Sequence, residues 1–303
     1  MTRLGWRTAL LMTLPPLLWA GNAVVGRLVV GSVPPLLLNC LRWLLAGLLL
    51  APLGWRVWRD PRAIAVRWKY LLAVGLLGVG TYNSLQYLAL VTTTPINVTL
   101  IAASMPVWML LVGALRHDQH PTRREIAGAV LSLAGVLLVI SRGDAAALAR
   151  IHFVAGDVYV LVAIIAWAFY SWLLVRPPSS MQPPQRPDWD WAGFLLLQIV
   201  FGLIGSGAAA AGEALVTHAG VQWNGWVAAA LLYVAVGPSI IAYRCWALGV
   251  ARGGPALAAF FSNLTPVFAA ILSAAVLGEA PRWFHAAAFA LIVAGIVVSS
   301  RRS

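Results

Sequence analysis

The stretch TPINVTLIAASMPVWMLLVGALRHDQHPTRREIAGAVLSLAGVLLVISR, residues 94–142, decides the fold because the chain repeats its pattern once. Shifted by 160 positions, it aligns without a gap to residues 254–302, with ten identical residues among 49. The three prolines of the first copy fall on prolines of the second: Pro95 on Pro255, Pro106 on Pro266 and Pro121 on Pro281. Each copy predicts two apolar helices joined by a short polar turn. A membrane protein built from two related halves is typical of transporters.

The composition is that of an integral membrane protein. Apolar residues make up 61% of the 303 residues, charged residues make up 10%, and the mean hydropathy is +0.85. A soluble domain carries about 25% charged residues, so this chain could not cover a water-facing surface. The net charge of +12 does not indicate nucleic-acid binding, because the basic residues flank apolar runs instead of forming one face.

The apolar runs predict an all-α protein with ten transmembrane helices. Each run is near the roughly 20 residues that cross a bilayer. The predicted spans are 7–26, 35–54, 69–90, 95–115, 125–142, 155–176, 192–211, 225–248, 254–276 and 283–300. We expect a first repeat over 1–142, a linker over 143–154 and a second repeat over 155–303. Five helices per half is an odd number, so the two halves should be inverted relative to each other.

The distribution of basic residues predicts the orientation. If the N-terminus is cytoplasmic, fifteen arginines and lysines lie in cytoplasmic segments and four lie outside. Such a bias favours cytoplasmic placement of both termini. Nine tryptophans cluster at predicted helix ends, as an interfacial belt requires; they are Trp6, Trp55, Trp58, Trp68, Trp189, Trp191, Trp223, Trp226 and Trp283. Six others fall within spans and need a different explanation.

Several short motifs resemble a known transporter family. Leu18-Trp19-Ala20-Gly21-Asn22 in the first helix and Leu41-Arg42-Trp43-Leu44-Leu45 in the second resemble the opening of an EamA domain. Pro106-Val107, Pro266-Val267 and Gly278-Glu279-Ala280-Pro281 resemble later parts of that domain. The chain thus resembles the ten-helix EamA family of the drug/metabolite transporter superfamily over nearly its whole length. The resemblance implies a central cavity lined mainly by helices 1, 3, 4, 6, 8 and 9, and export as the physiological direction.

Polar side chains within the spans are candidates for function, because they cost free energy in lipid unless paired or wet. Aromatic rings together with neutral amides and hydroxyls suit a small amphipathic ligand. The candidate substrate-binding residues are Trp19, Asn22, Tyr82, Asn83, Gln86, Asn97, Trp108, Trp167, Tyr170, Tyr243, Trp246 and Asn263. Each of them also has a structural alternative, since amides bridge transmembrane helices and rings pack within bundles.

Charged residues and prolines complete the set of candidates. Arg42 lies about two turns into helix 2, where it either bridges helices or contacts an anion. None of the nine acidic residues falls near the middle of a span, which weakens proton coupling through a midplane acid. Pro106 and Pro266 are candidate hinges of helices 4 and 9, with a static kink as the alternative. The two cysteines and five histidines have no metal-ligand spacing, so we expect no metal and no cofactor.

The sequence therefore predicts a multi-pass transporter of the cell inner membrane. Its partners should be a small-molecule substrate and the lipid bilayer, with no nucleic acid and no obligate protein partner evident. We expect a neutral or zwitterionic substrate, amino acids and aromatic ones among them, moved by alternating access. The alternatives are an exchanger for anionic or phosphorylated metabolites, or a multidrug exporter. An intramembrane enzyme would need a nucleophile with a base at depth, and a scaffold would not need polar, aromatic interior faces.

Overall fold

The computed structural model describes residues 5–29, 31–89, 91–93, 95–149, 152, 154–217, 220–277 and 282–300. Ten helical spans run through these residues. They are α1 Trp6–Leu28; α2 Pro35–Gly54; α3, made of Trp68–Gly75, Leu76–Thr81 and Tyr82–Ala89; α4, made of Pro95–Ala102 and Met105–His117; α5 Arg123–Ile140; α6 Ala155–Val175; α7 Trp191–Thr217; α8, made of Gly225–Val234, Ala235–Ile241 and Ala242–Gly253; α9, made of Pro255–Ser262 and Thr265–Leu277; and α10 Trp283–Ser300. The motif Gly278–Pro281 lies outside the described residues.

Short elements join these spans. They are a 3₁₀ turn at Trp55–Arg59, a helix at Pro61–Val66, a helix at Ala145–Ala149 and a 3₁₀ turn at Ser179–Met181. By length and composition alone, six helices in the described ranges can cross a membrane. α3 is among the others, because Tyr82, Asn83 and Gln86 make its second half polar. The described part of the chain is all-α, as predicted.

The helix irregularities of the two halves coincide. α3 contains a π-helical segment at Leu76–Thr81, and α8 contains one at Ala235–Ile241, about 160 residues later. α4 breaks between Ala102 and Met105, and α9 breaks between Ser262 and Thr265. Such interruptions in corresponding helices are typical of transporters built from internal repeats.

The crossing of α5 and α10 is a symmetric contact between the two halves. A Cβ added to Gly128 would lie 2.7 Å from the carbonyl oxygen of Gly295, and one added to Gly135 would lie 2.8 Å from that of Ala288. Ala288 is the repeat equivalent of Gly128, and Gly295 is the repeat equivalent of Gly135, each 160 residues later. The two helices therefore cross antiparallel about a pseudo-twofold axis, as small residues allow. The predicted architecture of two inverted five-helix repeats is confirmed.

The surface of the bundle faces lipid, with tryptophans at its ends. Apolar side chains such as Leu48, Ile204 and Val130 are exposed along the spans. Seven of the nine tryptophans predicted for the belt are at least 48% exposed: Trp6, Trp55, Trp58, Trp68, Trp223, Trp226 and Trp283. Trp43, Trp167, Trp172 and Trp246 are buried instead. Burial thus separates the interfacial tryptophans from those that build the interior.

Candidate functional site

A cluster of aromatic rings lies at the centre of the bundle, around Trp167 of α6. Five ring centres lie within 5.4 Å of the ring centre of Trp167. The distances are 4.5 Å for Tyr82, 4.9 Å for Tyr170, 5.3 Å for both Trp246 and Tyr243, and 5.4 Å for Trp19. We call these six residues the aromatic cage. Its members come from α1, α3, α6 and α8, so both halves of the chain contribute. All six were predicted as substrate-binding residues, and the structure brings them together.

Two indole N–H groups of this region have no hydrogen-bond partner among the residues that the structure describes. Trp19 donates to the carbonyl oxygen of Pro238 at 3.2 Å, and Trp246 donates to Ser171 Oγ at 3.1 Å. The indole nitrogens of Trp167 and Trp43 are fully buried and unpaired. A buried donor without an acceptor costs about 1–3 kcal/mol. Trp167 of the cage and Trp43, which packs on Tyr243, can therefore each donate a hydrogen bond to a ligand.

A polar network lies beside the cage and is centred on Arg42, which is 1% exposed. Arg42 Nε donates to Ser239 Oγ at 3.0 Å, and Arg42 Nη1 donates to Tyr87 Oη at 3.0 Å and to Asn83 Oδ1 at 3.4 Å. Tyr87 in turn donates to Asn22 Oδ1 at 3.4 Å. The network joins α1, α2, α3 and α8. Each guanidinium partner in the described part of the chain is neutral.

Asn83 connects the network to the cage. Its amide nitrogen donates to Tyr243 Oη at 3.1 Å, and the Tyr243 hydroxyl donates to the carbonyl oxygen of Gly78. Gly78 lies in the π-helical segment of α3, where the irregular backbone frees this carbonyl for a side-chain donor. Tyr243 also contacts Trp43 edge-on, with the ring centres 4.8 Å apart. Arg42, Asn83 and Tyr243 are thereby held in one orientation.

Three predicted residues lie apart from the cage. Asn97 donates to Asp157 Oδ2 at 2.9 Å and to the carbonyl oxygen of His152 at 3.0 Å, so it ties α4 to the start of α6. Asn263 donates to Ser132 Oγ at 2.8 Å and to the carbonyl oxygen of Ala103 at 3.4 Å. Both side chains are buried and bridge helices. For these two, the structural alternative describes the geometry better than ligand contact does.

The third of these residues, Trp108, lies beside the break in α4. Its indole donates to Ser104 Oγ at 3.1 Å, and Pro106 and Pro266 each stand at the second residue of the helical segment that follows a break. Proline lacks an N–H, so each interrupts the ladder of the preceding helix. The two prolines thus stand where the helices are interrupted, as a hinge or a fixed kink would require.

Other residues of the site were missed from the sequence. Trp43 packs on Tyr243, Ser239 accepts from Arg42, and Gln198 accepts from Tyr170 Oη at 2.9 Å. Gln198 is a polar residue in an otherwise apolar span. Ser239 follows Gly237-Pro238, a pair that indicates an interrupted helix. These signals were present but did not show which helices would meet.

Burial differs between the two ends of the site. We call the end where α1 begins and α10 ends the terminal end, and the other the opposite end. Trp19, Asn22, Gln86 and Tyr87, at or beyond the cage on its opposite side, are half-buried. Towards the terminal end, four helices place buried side chains between the cage and that end, namely Met12, Met109, Trp172 and Phe260. The site is thus sealed by buried side chains towards the terminal end, and its described side chains on the opposite side are more exposed.

A cavity of about 380 Å³ lies beyond this seal at the terminal end. Its apolar walls include Leu110, Trp172 and Phe260, and its polar walls include His120 and Glu125. Leu110, Trp172 and Phe260 belong to α4, α6 and α9, so this cavity abuts the seal. It has the position of a vestibule leading towards the cage.

Within the described ranges, no group of three or more His, Cys, Asp or Glu residues could hold a metal ion. Asp157, the deepest of the described carboxylates, accepts from Asn97, Thr93 and the backbone N–H of Val154, so its oxygens are already occupied. Its role in the structure is to hold the start of α6.

Comparison with known proteins agrees with this architecture. The EamA-like transporter family matches residues 6–141 and 154–301. The chain is 29% identical to an uncharacterized transporter of Archaeoglobus fulgidus, over 98% of each chain. It is 27% identical to the aromatic amino acid exporter YddG of Ancylobacter novellus, over 89% of each chain. It is also 27% identical to the uncharacterized inner membrane transporter YedA of Escherichia coli K12, over 93% of this chain and 87% of YedA.

A solved crystal structure shares the fold. The two chains are 24% identical and superpose with a TM-score of 0.75. The match covers 96% of this chain and 95% of the other. The family match covers both halves separately and together spans most of the chain. The chain therefore belongs to the EamA-like transporter family and is a multi-pass membrane transporter.

Proposed function

We propose that this protein exports amino acids, aromatic ones included, across the cell inner membrane. The observation that carries the proposal is the aromatic cage around Trp167, flanked by neutral amides and hydroxyls. Rings accommodate the apolar body of a ligand, and amides and hydroxyls bind its polar end. A relative that is named an aromatic amino acid exporter, 27% identical over 89% of this chain, supports the same substrate class.

The charges around the cage argue against two other substrate classes. A strongly cationic drug would favour a buried carboxylate, and the buried Asp157 is occupied by Asn97 and Thr93 away from the cage. A nucleotide sugar would require several basic groups. Arg42 is the only arginine or lysine that is buried among the described residues. The single charge of Arg42 matches the single carboxylate of a zwitterionic amino acid.

Export requires the cage to open alternately to each side of the membrane. The excess of basic residues in the segments at the terminal end favours a cytoplasmic position for that end. The sealed side of the cage then faces the cytoplasm, and the accessible side faces outwards. Inward opening would have to separate Met12 from Gly249 and Gly253, against which it packs, and Trp172 from Met109. The cavity beside His120 would then join the cage.

Uptake into proteoliposomes tests this function. A panel of radiolabelled solutes should include L-phenylalanine, L-leucine, a phosphorylated three-carbon acid and a quaternary ammonium drug, with empty liposomes as the control. We expect the amino acids to be taken up down their gradients and to compete with one another. Transport of the phosphorylated acid alone would favour the anion exchanger, which the buried Arg42 makes the second candidate.

A matched pair of variants links this activity to the cage. Trp167→Ala removes the central ring, and Leu48→Ala removes an exposed apolar side chain of α2. Both variants must first be shown to be folded by size-exclusion chromatography. We expect transport to fall in Trp167→Ala and to persist in Leu48→Ala. Equal activity of both variants would count against the cage as the binding site.

A further inference from the structure

Arg42 is a buried cation that has no anionic partner among the described residues. Its side chain is 1% exposed, yet within the described ranges its acceptors are the neutral groups of Ser239, Asn83 and Tyr87. A charge at membrane depth is costly and is normally paired. The second amino group of the guanidinium, Nη2, donates to none of the described residues. The site therefore has an unbalanced positive charge and spare donors.

A second free donor lies beside it. The guanidinium carbon of Arg42 lies 5.3 Å from the ring centre of Trp43, and the indole N–H of Trp43 is buried and unpaired. Trp43 is 0% exposed. A carboxylate could accept hydrogen bonds from both the charged guanidinium of Arg42 and the indole N–H of Trp43. A neutral ligand would leave the charge unbalanced.

The other half of the chain has a glycine where this arginine stands. Arg42 of α2 contacts Ser239 of α8, and the equivalent pair 160 residues away is Gly202 of α7 and Val79 of α3. There the helices pack directly, since a Cβ added to Gly202 would lie 2.4 Å from Val79 Cβ. The fold thus closes this contact with glycine in one half. In the other half it accommodates a buried cation.

We propose that Arg42 binds the carboxylate of the transported amino acid, with the side chain of that amino acid in the aromatic cage. This inference rests on the proposed function. The Tyr87 hydroxyl now accepts from Arg42 Nη1 and donates to Asn22, and Tyr87 and Asn22 are both half-buried. An arriving carboxylate replaces this neutral oxygen, because hydrogen bonds between charged groups are stronger. Tyr87 keeps its bond to Asn22.

Ligand analogues test the proposal on the unmodified protein. Inhibition of L-[¹⁴C]phenylalanine uptake is measured for unlabelled L-phenylalanine and for L-phenylalaninamide, at a mildly acidic pH where both keep a protonated amine. The amide replaces the carboxylate by a neutral group and leaves the ring unchanged. We expect the amide to bind at least tenfold more weakly, which corresponds to about 1.4 kcal/mol.

Variants of Arg42 then assign the discrimination to this side chain. We expect Arg42→Gln to bind the acid and the amide equally, and Arg42→Lys to retain a smaller preference for the acid, because a point charge lacks the planar donor fork. Arg244→Gln is the matched control. Arg244 also lies in a span, α8, and its guanidinium carbon is 5.0 Å from the ring centre of Trp191. This control should discriminate as the wild type does.

The outcomes separate the two proposals. If the wild type transports phenylalanine but does not distinguish acid from amide, the role of Arg42 is wrong and amino acid export stands. If it transports no amino acid, both proposals fail. If Arg42→Gln is folded and still prefers the acid, another group binds the carboxylate. If Arg42→Gln does not fold, the wild-type comparison and Arg42→Lys decide the question.

Discussion

Asn83 and Tyr243 occupy equivalent positions in the two halves of the chain, 160 residues apart, and they are hydrogen-bonded to each other at 3.1 Å. Residues related by a twofold axis can touch only if they lie close to that axis. The pair therefore marks the pseudo-twofold axis at the centre of the molecule. It also stands where the aromatic cage meets the network of Arg42. In alternating access the two repeats would swap conformations. The hydrogen bond between Asn83 and Tyr243 lies where that change would occur.

Tyr243→Phe tests the importance of this junction. The change removes the acceptor for Asn83 and the donor to the Gly78 carbonyl, and leaves the ring in place. We expect the variant to lose about 1–3 kcal/mol of stability, because two buried groups lose a partner. Thermal unfolding in detergent measures the loss.

A double-mutant cycle with Asn83→Ala refines this result. The two substitutions remove the same hydrogen bond, so their effects should not add, with a coupling of about 1 kcal/mol. Strictly additive losses would mean that the bond contributes nothing to the folded state.

The helix breaks on this axis predict a second structural effect. Asn263 donates to the carbonyl oxygen of Ala103, at the break in α4, and the two positions are again 160 residues apart. Asn263→Ala leaves that carbonyl and Ser132 without this donor. We expect a loss of about 1–3 kcal/mol in stability, with a smaller loss in Ser132→Ala, which keeps the bond to Ala103. Equal stability of Asn263→Ala and wild type would contradict this reading.

Pro106 and Pro266 test whether the breaks serve transport. Alanine at both positions restores the missing N–H groups and favours continuous helices. If the breaks act as hinges, the double variant should transport more slowly while its melting temperature stays the same or rises. A folded double variant with unchanged initial rates would show that the breaks are static kinks.

Much of this architecture could be predicted from the sequence, because lipid leaves few options for the backbone. The apolar runs gave helix boundaries within a few residues, as α2 at Pro35–Gly54 and α10 at Trp283–Ser300 illustrate. The cage residues were found because aromatic side chains in mid-span stand out. The pairing of polar groups could not be predicted. Whether Asn97 faces a ligand or Asp157 depends on how α4 and α6 meet, which no local pattern records.

The orientation of the chain can be measured by labelling single cysteines in cells. Cys40 and Cys245 are first replaced, since both are free thiols. Cysteines at Asp144 and Gly220, at the opposite end, should react with a membrane-impermeant maleimide added outside. Those at Asp60 and Pro178, at the terminal end, should react only after permeabilisation. The reverse pattern would place the termini outside and would invert the direction assigned to the sealed side.

The most direct test of the aromatic cage is the effect of Trp167→Ala on the selectivity of transport in proteoliposomes. Trp167 contacts five other rings of the cage, so its loss should weaken binding of aromatic side chains most. We predict that the initial rate for L-phenylalanine at low concentration falls about tenfold, as the loss of about 1.4 kcal/mol requires. The rate for L-alanine should fall much less. A folded Trp167→Ala protein that transports both amino acids at wild-type rates would contradict the assignment of the cage as the substrate site.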